Sequence, residues 1–388
     1  MLTFESFTGI NNMLPEHRMK GSDLLVARNV DIGLTGEITR RAGYSLVDDR
    51  CHKNLWQGQG FMLATVGGEL TAIHPDGARH VIHPALGPER VWYCNLPDGR
   101  TLFSNGQIDG ATDGLVGLAR SVPMPDALGV PDAPFGALQA GQYRYHLTYV
   151  RLADRLEGPA ASSGPVAVQQ GGLRLDNLPE RAGHAINVYL SSRDGEGAYL
   201  AGTTAGRSFE FTGANSELVL PCRTLGAQPF PVGTITAYWR GRVLVAQGNA
   251  LWASRPQAPH LSDWRDFKQL PATITAVVPV DDGVYVGTEQ DLVFLGGTAW
   301  DQLAYLPRMR GPVVLGSGIA APGSRLKLGD GVGDGPAMLC IAGGEIVAGF
   351  AGGQTTSLTA NRYRCHAREV SATFREVDGV PQYLAVPQ

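Results

Sequence analysis

The chain has 388 residues, enough for two or three domains, and with 43% apolar and 18% charged residues it is neither a disordered polymer nor a core-poor one. A net charge of -4 and a pI of about 6.1 leave no basic surplus, which excludes a protein whose affinity comes from neutralising phosphates. The 51 glycines and 25 prolines follow no period, and the five cysteines (Cys51, Cys94, Cys222, Cys340, Cys365) form no CxxC pair. Collagen, a complete disulfide framework and a zinc ribbon are thereby excluded, and folding in a reducing cytoplasm is expected.

The opening residues, MLTFESFTGINNMLPEHRMKG, lack the basic-then-apolar layout of a signal peptide. No stretch approaches the ~18 uninterrupted apolar residues that span a bilayer, so no membrane anchoring is expected. Residues 23–30 (DLLVARNV) and 262–267 (SDWRDF) are the places where a turn or two of helix is predicted. Elsewhere short apolar or alternating runs are bounded by Gly, Asp, Asn or Pro. Residues 60–84, 91–106, 235–256 and 274–297 each read as strand, tight turn, strand, with GG, DG, RG or GN at the turn. Such units begin near Gln57, Val91, Ile235, Ile274, Val313 and Glu369. Outside one long interruption their spacing is roughly 40 residues, the period of four-stranded propeller blades. The prediction is an all-β chain, a β-propeller of about six blades, although a sandwich or barrel accounts for each hairpin singly.

The interruption has a different texture. Tyr143, Tyr145, Leu147 and Tyr149 alternate with Arg144, His146 and Thr148, a strand with one buried face. Short strands at 173–179, 185–204 and 208–213 follow, with turns every 8–12 residues, which suggests an inserted immunoglobulin/fibronectin III-like β-sandwich. Pro- and Gly-rich segments 123–134 and 225–233 bound it. The expected organisation is residues 1–125 (N-terminal segment and first blades), 126–226 (sandwich) and 227–388 (remaining blades).

Residues 7–19 read FTGINNMLPEHRM and residues 24–47 read LLVARNVDIGLTGEITRRAGYSLV. With Phe7, Gly9, Asn11, Pro15, Ala27, Asn29, Val30, Gly36, Arg40, Arg41 and Gly43 in this order, and Trp252, Ser254 and Pro256 forming a W-x-S-x-P turn after a blade strand, the chain resembles the tail nozzle, tail-hub and DNA-stabilisation proteins of bacteriophage virions. The chain is shorter than the large nozzle proteins of that group. The resemblance implies a closed homo-oligomeric ring, commonly sixfold, around the DNA channel. It implies other virion tail, adaptor or portal-side proteins as neighbours, DNA passing through the lumen without sequence-specific binding, and a location in the virion tail after synthesis in the host bacterial cytoplasm. Ring closure uses two different patches per subunit. Arg40 and Arg41, with Asn29 and Asp31 nearby, are the candidate interface residues, because paired arginines dock carboxylates bidentately.

Catalytic and ligand constellations are sparse. Glycoside hydrolysis needs two carboxylates across a cleft, whereas Asp48/Asp49, Asp263/Asp266 and Asp281/Asp282 are scattered, and neighbours on a strand point apart. His74, His80 and His83 lack the convergence a metal requires, and Cys51–His52 and Cys365–His366 diverge as adjacent residues do. GDGVGDG, residues 329–335, lacks the Lys-Ser/Thr of a phosphate loop; Asp330 and Asp334 leave calcium open beside a plain exposed loop. Tyr143, Tyr145, Tyr149, Tyr189 and Tyr199 are read as core before sugar-binding platform. The expectation is therefore a virion structural protein with no catalytic residues, cofactor or metal. The alternatives are a propeller adhesin or carbohydrate-binding module that recognises a bacterial surface, and a glycosidase-like enzyme.

Overall fold

The computed structural model describes residues 6–33, 35–328, 331–377 and 379–388. Strands and turns make up the described chain, and its only helical pieces are short 3-10 turns. Residues 23–30 and 262–267 are not helical. Asp23–Leu24 pairs in parallel with Gly9–Ile10, and Leu261–Ser262 pairs with Gln228–Pro229. Leu25, Val26 and Trp264 are exposed, so neither segment has an apolar face that a helix could bury, and Asn29 sits at φ 56, outside the right-handed helix region.

Five four-stranded antiparallel sheets follow one another in the chain, each a simple meander apart from insertions. Their first strands are His52–Gln57, Trp92–Asn95, Thr234–Trp239, Ile274–Val280 and Ile319–Pro322. The turn chemistry is visible at Gly67-Gly68, Arg240-Gly241 and Gly343-Gly344, where both residues of a two-residue loop take positive φ. That backbone matches the right-handed twist of the flanking strands. A sixth four-stranded unit, predicted from Glu369 onward, is not formed. Residues there make one long hairpin, Val370–Val377 with Val380–Pro387, whose Phe374 and Tyr383 cover the fifth sheet. The two eight-residue strands there pair with each other along their whole length, from Val370 opposite Pro387 to Val377 opposite Val380.

Consecutive sheets share apolar cores. Phe61, Leu63 and Leu70 of the first meet Tyr93 and Phe103 of the second; Leu102 meets Val243 and Val245 of the third; Trp239 and Leu244 meet Val284 and Val293 of the fourth; Tyr285 and Phe294 meet Met338 and Val347 of the fifth. Trp92 and Leu315 both pack on the cluster between the third and fourth sheets. Arg90 then links the start of the second sheet to the last hairpin, donating to Glu369 Oε1 (2.8 Å) and to Val370 O (2.9 Å).

Between the second and third sheets, residues 130–211 form a three-stranded sheet (Val130–Asp132, Leu173–Asp176, Phe209–Phe211), a four-stranded sheet (Ala161–Ser162, Tyr145–Arg151, His184–Ser191, Ala198–Thr204) and a small pair around one core. Tyr143, Tyr145, Leu147 and Tyr149 all point into that core. The prediction of a single buried face fails on the other side: His146 and Thr148 are buried too. Glu157 lies over that face, its Oε1 accepting from Thr148 Oγ1 (2.5 Å), Asn187 Nδ2 (3.0 Å) and Tyr189 OH (2.6 Å). The flanking Pro/Gly segments are tied to these cores at single points, Pro125 being buried, Leu128 packing on the core of the insertion and Phe230 buried in the core between the second and third sheets.

Candidate functional site

The N-terminal segment is a strap tied back to the body. Arg362 donates to Thr8 O (2.5 Å) and pairs with Asp23 (3.3 Å), while Asn12 and Arg364 exchange two bonds of 2.8 Å. Asn11 accepts from the Met13 and Leu14 amides and donates to Asp23. Several motif residues therefore have structural reasons. Gly36 is one: it sits at φ +85, and a Cβ there would lie 2.7 Å from Phe7 O.

All four candidate interface residues fall on or beside one exposed hairpin, Val30–Ile32 paired with Ile38–Arg40. Arg41 is committed within the chain. Its Nε and Nη2 reach Asp31 Oδ1 at 3.1 and 2.9 Å, and its amide donates to Asn29 O at 3.1 Å. Arg40, opposite Val30 in the ladder, is exposed.

Beyond Arg41 the chain runs without regular structure to Asp48. Tyr44, Leu46 and Val47 along this span are 99%, 78% and 96% exposed. The far end is pinned as firmly as the near one. Asp48 accepts from Arg50 Nε (3.2 Å) and Nη2 (2.9 Å) and from Arg79, with His52 Nε2 at 3.5 Å. Hydrogen bonds from Arg50 hold the Asp48 carboxyl well below the usual carboxylate range. An apolar arm is thus stretched between two ion-pair anchors with its middle bare. Sequence reasoning missed it, since Tyr, Leu and Val are assigned to a core by default.

The other constellations separate. The His74 and His80 rings meet edge-on at 5.2 Å, but His74 Nε2 lies 2.9 Å from Gly114 O and His83 packs on Phe103. Among the described residues no group of three or more His, Cys, Asp or Glu could hold a metal. Gly329 and Asp330 of the Gly-Asp loop lie outside the described residues. Asp263 pairs with Arg255, Asp266 pairs with Arg242, and Asp282 accepts from the Gly352 amide, so these acids serve local structure. Cys51 is exposed, whereas burial pushes the Cys94 and Cys340 thiols up to about 12. A cleft of about 610 Å³ lies beside Tyr149 and is bordered by Asp126, Glu180, Arg181 and Arg207. Its charged walls are solvent-exposed.

Two buried polar groups had no sequence signal. Arg120 and Asp109 form an ion pair at the edge of the second sheet, and His260 reaches across to the inserted segment, its Nε2 3.0 Å from Glu157 O.

No family model and no curated protein matches this sequence. Solved structures to which it is similar include the Pan2 WD40 domain of Neurospora crassa, with 7% identity, 87% of this chain and 86% of that one covered, and a TM-score of 0.35. The Dos1 propeller gives 8% identity, 92% and 81% coverage, and a TM-score of 0.36. Apo AztD from Citrobacter koseri gives 11% identity, 81% and 74% coverage, and a TM-score of 0.30.

Proposed function

We propose that this chain is a structural subunit of a bacteriophage tail, a nozzle, hub or connector protein whose copies close into a ring around the DNA channel. One observation carries the reading: the arm from Arg41 to Asp48 is anchored at both ends and presents Tyr44, Leu46 and Val47 to solvent. A bare apolar span held at both ends is suited to burial against a second protein. The motif resemblance of the first fifty residues supplies the context, and the mild net charge of -4 suits a wall past which DNA slides.

The scaffold is read as a β-propeller with an inserted sandwich. Serial four-stranded meanders with shared faces support the first part. The second is supported by the sheet orders: the four-stranded face matches the C′-C-F-G order of a fibronectin-type module, although Phe209–Phe211 adds a strand on the opposite edge of the other face. The ring is read as homo-oligomeric and sixfold, its subunits doing no chemistry and needing no cofactor.

The test is the variant Tyr44→Ser, Leu46→Ser, Val47→Ser. Burial of such side chains stabilises by about 1.5–3 kcal/mol each, so the triple change weakens assembly by roughly 5–9 kcal/mol while the monomer melts as before. Sedimentation velocity over a concentration series reads the first effect, and a thermal melt the second. Wild-type rings that persist in the variant would remove the basis of the proposal.

A further inference from the structure

An arm that docks head to tail needs a receiving surface elsewhere on the same subunit. The cleft of about 610 Å³ beside Tyr149 has the chemistry of one. Its floor is apolar, with Leu178 and Tyr149 buried and Pro123 and Pro179 half-buried beside them. Its rim carries both signs of charge, Asp126 and Glu180 against Arg181 and Arg207, and all four are exposed. Among the described residues these four side chains make no ion pair and no hydrogen bond; the Arg181 guanidinium lies 6.0 Å from the centre of the Tyr149 ring. Other exposed charges of the insertion are spent locally, Arg174 on Asp176 and Arg193 on Asp194. The rim is also preformed. The Leu178 amide donates to Arg207 O and the Glu180 amide to Leu178 O, both at 2.9 Å, and Tyr149 OH donates to Pro179 O at 2.7 Å. Walls already bonded in this way lose little freedom when a partner arrives.

The arm has the matching layout. Arg41 is spent on Asp31, and Asp48 on Arg50 and Arg79. Just outside these anchors stand Arg40 and Asp49, both exposed, whose side chains pair with nothing among the described residues. The arm therefore offers a positive end, an apolar middle and a negative end, where the cleft offers acids, an apolar floor and arginines. Residues 42–47 make no backbone hydrogen bond among the described residues, so no internal bond has to break for them to dock. Arg79 pins the arm to the first sheet, whereas the cleft is walled by the insertion and the segment leading into it, so the two patches are separate on one subunit.

We infer that the cleft receives the arm of a second copy of this chain. Tyr44 and Leu46 lie on the apolar floor, Arg40 faces Asp126 and Glu180, and Asp49 faces Arg181 and Arg207. An aromatic side chain in an apolar depression ringed by polar groups concentrates the binding energy of such a contact. The inference rests on the reading of the arm as an assembly contact and supplies the surface it meets. Each subunit gives one arm and takes another, which makes the contact heterologous and lets it repeat around a ring.

Two variants of the full chain test this by mixing. The arm variant carries Tyr44→Ser, Leu46→Ser and Val47→Ser. The cleft variant carries Arg181→Glu and Arg207→Glu, both at exposed side chains, so its thermal melt matches that of the wild type. Bringing like charges against Asp49 weakens the contact by about a hundredfold. Each variant alone is then monomeric by sedimentation velocity at a concentration where the wild type assembles. An equimolar mixture keeps one productive contact, the arm of the cleft variant in the cleft of the arm variant, and forms heterodimers and nothing larger. Adding Asp49→Arg to the cleft variant restores self-association, a rescue that a merely structural defect would not show. Should the cleft variant fail to fold by circular dichroism, Asp126→Arg with Glu180→Arg replaces it, and Arg40→Glu is then the rescuing change. A wild type that stays monomeric removes the assembly reading and this inference together. Assembly of the cleft variant as readily as the wild type, while the arm variant stays monomeric, overturns this inference alone. A mixture without heterodimers, or a charge swap that restores nothing, overturns it as well.

Discussion

Replacing Arg120 by Met tests the buried pairing at the edge of the second sheet. Arg120 and Asp109 have side chains 3% and 10% exposed, and the arginine also satisfies Pro231 O. Met keeps an unbranched apolar stem but removes the guanidinium that lies over Phe230 and strands the carboxylate, and breaking one side of such a pair costs about 3–5 kcal/mol. Even in the native protein, burial raises the Asp109 pKa against the opposing pull of Arg120. Without Arg120 the rise is larger. The folded state then holds a proton that the unfolded state releases near the ordinary aspartate value of 3.8. Stability therefore falls as pH rises from there to the folded-state value and levels off above it. The deficit of Arg120→Met is accordingly smaller near pH 4 than at pH 7. The double change Asp109→Leu, Arg120→Met removes both charges and returns stability to within about 1 kcal/mol of wild type. Urea denaturation followed by tryptophan fluorescence, at both pH values, gives the cycle. A single-variant loss below about 1 kcal/mol, or a double variant as unstable as the single one, would refute the reasoning.

Gly36→Ala forces a Cβ to within 2.7 Å of Phe7 O at φ +85. The N-terminal strap should loosen at a local cost of about 1–3 kcal/mol, seen as faster amide exchange at Phe7, which donates to Gly36 O, with the sheet cores unchanged. Arg40→Glu with Arg41→Glu should block ring assembly while leaving the monomer folded. The new Glu beside Asp31 lies on an exposed hairpin, where repulsion costs less than about 1 kcal/mol. Size-exclusion chromatography and circular dichroism of the double variant read the two effects separately.

Much of the scaffold could be read from local chemistry. The two-residue turns at Gly67-Gly68, Arg240-Gly241 and Gly343-Gly344 announce their hairpins, because residues that tolerate positive φ stand between alternating runs. The tyrosine alternation from Tyr143 to Tyr149 likewise announces one core strand. What escaped depends on distant partners. Thr148 looks solvent-facing until Glu157 returns over it to meet Asn187 and Tyr189, and His146 does until Ser162 Oγ comes within 2.8 Å of its ring. Arg120 and His260 look like ordinary surface residues, yet the one is buried against Asp109 and Phe230, and the other against the insertion. The final hairpin announced a strand pair and nothing about how many strands would join it, since pairing beyond a hairpin carries no local signal. For the candidate interface, the segment was legible as distinctive. Which of its residues are spent within the chain, as Arg41 is on Asp31, and which stay bare, as Tyr44 does, depends on the folded context.

Negative-stain imaging of the purified chain at tens of micromolar, with mass photometry of the same sample, bears most directly on assembly as the protein's task. Closed annuli of a single repeated subunit, about six to a turn, are what the exposed arm and its anchors predict. A population of single particles that stays monomeric under these conditions would contradict it.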